Sequence, residues 1–454
     1  MKAPRPVLMG ILSLGLLAAP LAGEAQPVLE QFRFDPPTLC LRDSFRWGFA
    51  YRGLPGGLAA VKDTEMWGLW EGPGERPIQS VLTPTKDDLQ RYTADHGRFE
   101  SRLNHWGAPR KAPPGGTEIR YTLRIVLADG REVTSATSVR YVDSCPPPVV
   151  HTTLASGPTG RIGVLTTTPT VSDFLQGVQP AATSLIWGDL ELPPGRAERS
   201  PAVVLVHGSG GIGAREDRWA EELRQAGAAT FVLDSFTGRA IASTAEDQSQ
   251  LSSLAMIGDA YRGLELLATH PRIDPARIAV MGFSKGGAVA LYAALTRFQR
   301  LHGPAGARFA HHIAFYPPCY YKYVGELAVT DRPIRVFHGT ADDLAPLEPC
   351  RAYLERLRRA GADAQISEYA GAHHGFDRPS AAPVRHNPRE QNASRCFWEE
   401  RSEGHLVNRD TGQPFSISDP CVVLGGTFGP DPAAYRAALQ AVKALVGTEA
   451  PSRP

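Results

Sequence analysis

The spacing of apolar and polar positions changes near residue 150. Before it, Arg120–Leu127 (RYTLRIVL) alternates large apolar with polar residues at period two, the pattern of a half-buried strand. Asp129-Gly130 supplies a tight turn and Glu132–Tyr141 a returning strand, while Phe45–Tyr51 has strand composition. Short β-type runs over residues 27–145 predict a small β-sandwich. Beyond about residue 160, continuous apolar runs replace the alternation. Pro201–Val206 (PAVVLV), Ala228–Leu233 and Arg277–Met281 read as strands buried on both faces. His312–Tyr316, Pro333–Phe337 and Ala364–Tyr369 continue the series. Between them Arg215–Ala226, Met256–Thr269, Gly286–Thr296, Leu347–Ala360 and the closing Pro432–Val446 read as helices. Such alternation predicts a mostly parallel sheet with helices on both faces over residues 161–450.

Composition narrows the function classes. Of 454 residues, 48 are basic and 47 acidic, a net charge of +1 that excludes a broad cationic face for nucleic acid. Nearly all of the positive charge is arginine, a bias that fits a GC-rich bacterial genome. At the N-terminus Lys2 and Arg5 precede an apolar run, Val7–Ala19, then Pro20 and the small residues Gly23 and Ala25. Residues 1–25 therefore read as a secretory signal peptide, and no later stretch is long and apolar enough to span a bilayer. The destination is periplasmic or extracellular. Six cysteines follow, at Cys40, Cys145, Cys319, Cys350, Cys396 and Cys421. Export and an even count predict disulfides, and sequence proximity favours 40–145, 319–350 and 396–421. None forms a C-x-x-C pair, so a zinc ribbon or dithiol redox site is disfavoured. The domain order is then the leader 1–25, the sandwich 27–145 (immunoglobulin-like or fibronectin-like), a Pro-stiffened linker 146–160, and the α/β domain. Trp47, Trp67, Trp70 and Trp106 of the sandwich are expected in its core rather than on a sugar or peptide platform.

The chemistry gathers at strand ends. Gly282-Phe283-Ser284-Lys285-Gly286 is a G-x-S-x-G sequence between a buried strand and a helix. Such a turn points a serine hydroxyl out above the sheet, and the glycines make room for it. A serine nucleophile needs a base, and the base needs an orienting carboxylate. Hydrolases with this elbow place them in the order Ser, Asp or Glu, His. Asp342, with Asp343 as competitor, follows the strand Pro333–Phe337; His374, with His373 as competitor, follows Ala364–Tyr369. The oxyanion donors expected are the backbone N–H of Lys285 and that of Ser209, in the loop His207-Gly208-Ser209-Gly210-Gly211. This chemistry needs no metal or organic cofactor. Asn392-Ala393-Ser394 matches a glycosylation sequon, which counts for little in a bacterial chain.

From about 185 to 447 the segments LVHGSGG, HPRIDPARIAVMGFSKGG, HGTADDLAP and GAHHGF resemble the dienelactone hydrolase family of α/β hydrolases. The resemblance implies a triad of Ser284, Asp342 and His374 acting on a small-molecule ester. It also shows departures: serine stands where the namesake enzymes carry cysteine, and a segment of about 377–431, with Cys396 and Cys421, is inserted before the last helix. The expected activity is hydrolysis of carboxylic esters, falling as pH drops through the ordinary imidazole range near ~6.5. A secreted serine peptidase of the oligopeptidase type and a non-catalytic envelope binding protein on a hydrolase scaffold are the competing readings.

Overall fold

The computed structural model describes residues 26–447, apart from residues 36, 41–44, 71–77, 80–88, 90–91, 104–115, 117, 143–146, 196–198 and 379–382. The leader and the Cys40–Cys145 pairing thus lie outside the described residues.

Two sheets form the N-terminal part. One holds Val28–Asp35, Phe45–Arg52 and Gly97–Leu103; the other holds Thr38–Cys40, Glu132–Val142, Glu118–Val126, Asp63–Trp70 and Ile78–Gln79. Period-two burial of Ile119, Tyr121, Leu123 and Ile125 aims one face of the second sheet at the first. In the first sheet Leu29 and Phe32 are three apart, yet both are buried. A break in the register beside Gln31, whose φ is 52°, resets the alternation. Trp47 packs in this core against Phe99 at 5.2 Å, Trp67 is half-buried, and Trp106 lies outside the described residues.

The second part is built on eight strands: β1 (Gly160–Thr167), β2 (Thr183–Glu191), β3 (Ser200–Val206), β4 (Ala229–Asp234), β5 (Ile273–Phe283), β6 (His312–Phe315), β7 (Ile334–Gly339) and β8 (Ala364–Tyr369). Their order across the sheet is β8-β7-β6-β5-β3-β4-β2-β1. From β4 to β8 all neighbours are parallel; β1 and β2 are antiparallel additions. Every residue of β3, β4 and β6 is buried, which explains their mostly apolar sequences. Helices α1 (Ala214–Gln225) and α5 (Pro432–Gly447) cover one face through Trp219, Leu223, Ala438 and Val442. Helices α2 (Ser253–Leu267), α3 (Lys285–Tyr292) and α4 (Leu347–Arg359) cover the other. The fold is that of an α/β hydrolase.

The stretch before β1 is not free chain. Gly163 N–H donates to Val149 O at 2.9 Å, His151 N–H to Gly163 O at 3.4 Å, and Leu154 is fully buried. The insertion is also anchored. Trp398–Ser402 extends a short parallel pairing with Tyr321–Lys322, and Arg297 donates to both Glu400 oxygens, at 2.9 and 2.8 Å. Arg385–Asn392 pairs antiparallel with Val423–Phe428. Disulfides join Cys319 to Cys350 and Cys396 to Cys421. Asn392 of the sequon donates its amide to Asp343 O and Gly425 O and is buried.

Candidate active site

Ser284 sits between β5 and α3 with φ 54° and ψ −115°, a backbone conformation that costs free energy in any residue with a Cβ. Ser284 N–H donates to Phe315 O at 3.0 Å, and Ala288 N–H donates to Ser284 O at 3.0 Å, which holds the turn in place. The neighbours must be glycine. A Cβ on Gly282 would lie 1.9 Å from Gly286 O, and one on Gly286 would lie 2.2 Å from Val206 O.

Two loops complete the array. Asp342 follows β7 and is buried; its Oδ1 accepts from Leu344 N–H at 3.0 Å and Ala345 N–H at 2.9 Å. Its Oδ2 lies 2.8 Å from His374 Nδ1, and His374 Nε2 lies 2.9 Å from Ser284 Oγ. The tautomer that satisfies both has Nδ1–H donating to the carboxylate and Nε2 accepting from the hydroxyl. His374 is positioned by its backbone, whose carbonyl accepts from Gly429 N–H at 3.1 Å, and by its ring against Tyr316 at 4.5 Å. The competitors are elsewhere. Asp343 is exposed and accepts from Thr427 N–H at 2.8 Å and Thr427 Oγ1 at 2.7 Å. His373 is half-buried with its Nδ1 unpartnered.

Ser209 and Lys285 both line the cavity over Ser284. Lys285 opens α3, where the first backbone N–H groups of a helix have no intrahelical acceptor. The Ser209 loop turns tightly, Gly211 N–H donating to Gly208 O at 3.1 Å, and a Cβ on Gly208 would lie 3.5 Å from Ser284 Cβ. His207 braces this loop. Its Nδ1 donates to Gly208 O at 2.8 Å and its Nε2 accepts from Ser235 N–H at 3.3 Å.

Several side chains of the site carry no sequence signature. Tyr316, φ 37°, lies beneath His374 and donates to Asp377, which also accepts from Trp219 Nε1 at 3.0 Å. Arg215 Nη1 reaches the Tyr316 oxygen at 3.1 Å. The Lys285 amine donates to Gln248 Oε1 at 2.9 Å and Thr244 Oγ1 at 3.1 Å. Burial pulls it down to about 7. Burial likewise pushes the Glu390 carboxyl above its usual range, against the lowering pull of His374 and of a hydrogen bond from Asn387 at 3.0 Å.

Ser284 and His374 open onto two cavities. One, of about 400 Å³, has apolar walls at Leu344, Leu406, Phe415 and Ile417, the last three from the insertion. The other, of about 310 Å³, lies along the loop from Gly208 to Glu216. Glu390 borders both. A group held on Ser284 therefore has room on either side. Among the described residues no cluster of three or more His, Cys, Asp or Glu is placed to hold a metal ion, and no helix is long and apolar enough to cross a membrane.

Residues 190–403 match the model of the dienelactone hydrolase family. Over this stretch the chain is similar to that family. Dienelactone hydrolases cleave an ester, and the match supports an ester-cleaving hydrolase. No curated protein gives a significant match. Among solved structures, a thermophilic esterase of the planctomycete Thermogutta terrifontis with propionate bound is 19% identical over 42% of this chain and 81% of its own, at a TM-score of 0.35. A dienelactone hydrolase-like promiscuous phosphotriesterase from metagenomic libraries is 18% identical over 63% of this chain and 98% of its own, at 0.39. At these TM-scores neither neighbour bears on the mechanism.

Proposed function

We propose that this dienelactone hydrolase relative is an exported serine esterase that cleaves carboxylic esters through Ser284, His374 and Asp342. One observation carries the reading: an unbroken relay from Ser284 Oγ through the His374 ring to Asp342, with contacts of 2.9 and 2.8 Å. His374 Nε2 takes the hydroxyl proton as Ser284 Oγ attacks the ester carbonyl. The carbonyl oxygen becomes an oxyanion, met by the backbone N–H groups of Lys285 and Ser209. Asp342 is itself fixed by two backbone donors, so it holds the imidazole in place and stabilises the imidazolium. The imidazolium returns its proton to the leaving alkoxide, and the acyl group stays on Ser284. Water then attacks the acyl-enzyme with the same histidine as base, and the free acid leaves. The two cavities separate the acyl group from the alcohol group.

Serine at 284 in place of the family's namesake cysteine favours general carboxylic esters over dienelactone. Export rests on the charge and hydropathy of residues 1–25 and agrees with two disulfides, which persist in oxidising compartments.

The test is Ser284→Ala assayed on a short-chain aryl ester. We expect kcat/KM to fall by roughly three or more orders of magnitude with an unchanged circular-dichroism melt. Turnover near the parent's would refute the nucleophile assignment. A parallel panel of peptide amides separates esterase from peptidase, since a peptidase would cleave them at comparable rates.

A further inference from the structure

Beyond its Gly208–Gly211 turn and the His207 ring, the loop that carries Ser209 has little to hold its serine in place. In His207-Gly208-Ser209-Gly210-Gly211 the serine is flanked by residues with no side chain to pack. Its handles are therefore the carbonyl and hydroxyl of Ser209, and residues 243–248, on the segment between β4 and α2, hold both. Ser209 O accepts from Thr244 N–H at 2.8 Å and from Ser243 Oγ at 3.0 Å. Ser209 Oγ accepts from Gln248 Nε2 at 2.9 Å.

The same segment is tied down at two further points. The Lys285 amine, one residue after the nucleophile, donates to Thr244 Oγ1 and Gln248 Oε1. Gln391, in the first strand of the insertion, accepts from Gln248 N–H through Oε1 at 2.7 Å, and its own N–H donates to Ala245 O at 2.8 Å. Three pieces of chain distant in sequence thus meet on one short segment, and the Gln248 amide is donor to one and acceptor to another.

We propose that Gln248 and Gln391 are positioning residues, which set the Ser209 backbone N–H against the oxyanion, so that the insertion supports catalysis as well as lining the substrate cavity. The proposal rests on the serine esterase reading above. Oxyanion donors act by preorganisation: a donor displaced by a fraction of an ångström still lets substrate bind but loses hold of the transition state. Loss of a support is then read in kcat and not in KM.

The experiment uses the full-length chain and three variants, Gln248→Leu, Gln391→Leu and Gln391→Glu. The last keeps the acceptor for Gln248 N–H. Each is assayed on p-nitrophenyl acetate and with phenylboronic acid, whose tetrahedral serine adduct carries an oxygen where the oxyanion forms. For both leucine variants we expect kcat to fall about 10- to 100-fold with KM within about twofold. Boronate binding should weaken in proportion, and Gln391→Glu should recover most of the lost kcat. Gln391 is half-exposed, so its variants read the effect even where Gln248→Leu does not fold. Parent-like kcat in Gln391→Leu, a rise in KM alone, or no recovery in Gln391→Glu overturns the proposal. Fluorophosphonate labelling of the parent separates the two levels: an unlabelled parent defeats the esterase reading and this inference together, whereas a labelled parent with an indifferent Gln391→Leu defeats this inference alone.

Discussion

His374 and His312 are both buried, with different partners. His374 meets a carboxylate and a hydroxyl. His312, in β6, is fully enclosed and donates Nδ1–H to Ala290 O at 2.9 Å. Burial pushes its pKa down from 6.5 to about 4, in spite of that hydrogen bond. Between those values the unfolded chain binds a proton that the folded chain refuses, so stability falls as pH drops through this window. By pH 4 the loss from this one group reaches about 3 kcal/mol. In His312→Gln, urea midpoints followed from pH 7 to pH 4 should lose that share of the acid slope; an unchanged slope would locate acid sensitivity elsewhere. Ser284, Asp342 and His374 were legible because their surroundings are local in sequence: glycines forced by close backbone approach, and loops directly after buried strands. Gln248, Gln391, Glu390 and Tyr316 were not, because each reaches the site through tertiary contact, with no spacing to betray it.

At the scale of elements, apolar runs located β3, β4 and the second half of β5 to within a few residues, since strands buried on both faces are mostly apolar. β1 and β2 escaped that reading, although Ile186, Gly188 and Leu190 alternate into the core and carry a period-two signal. The insertion strand Arg385–Asn392 (RHNPREQN) has no apolar alternation, and pairing with Val423–Phe428 alone makes it a strand. What fastens this insertion is the Arg297–Glu400 pair, whose side chains are 9% and 0% exposed. Glu400 Oε2 also accepts from Val324 N–H, and Oε1 from Gly404 N–H, both at 2.9 Å. Removing one member leaves the other charge buried, so Glu400→Ala should cost roughly 3–5 kcal/mol in a urea titration. Lys322→Ala, which breaks a pair with Glu399 at a side chain 58% exposed, serves as the control and should shift stability by less than about 1 kcal/mol. Equal effects would mean that the insertion is fastened by its apolar contacts instead.

In the whole molecule, two architectures with separate hydrophobic cores lie along one chain. Between them Arg46 pairs with Glu191, which also pairs with Arg224 of the second at 3.3 Å. The near balance of 48 basic and 47 acidic residues is consistent with charges spent on pairs of this kind. The period of the apolar pattern, two before residue 150 and continuous runs after 200, marked both architectures in advance. How residues 148–154 lie against the second of them was not legible, because Gly163 accepts the chain through backbone alone. In the function proposed, three side chains brought together from three loops make Ser284 a nucleophile. The most direct measurement is peptide mapping by mass spectrometry after treatment of the folded protein with a fluorophosphonate. A single adduct on Ser284, absent after heat denaturation, is the predicted result; an unmodified Ser284, or an adduct on another serine, would contradict it.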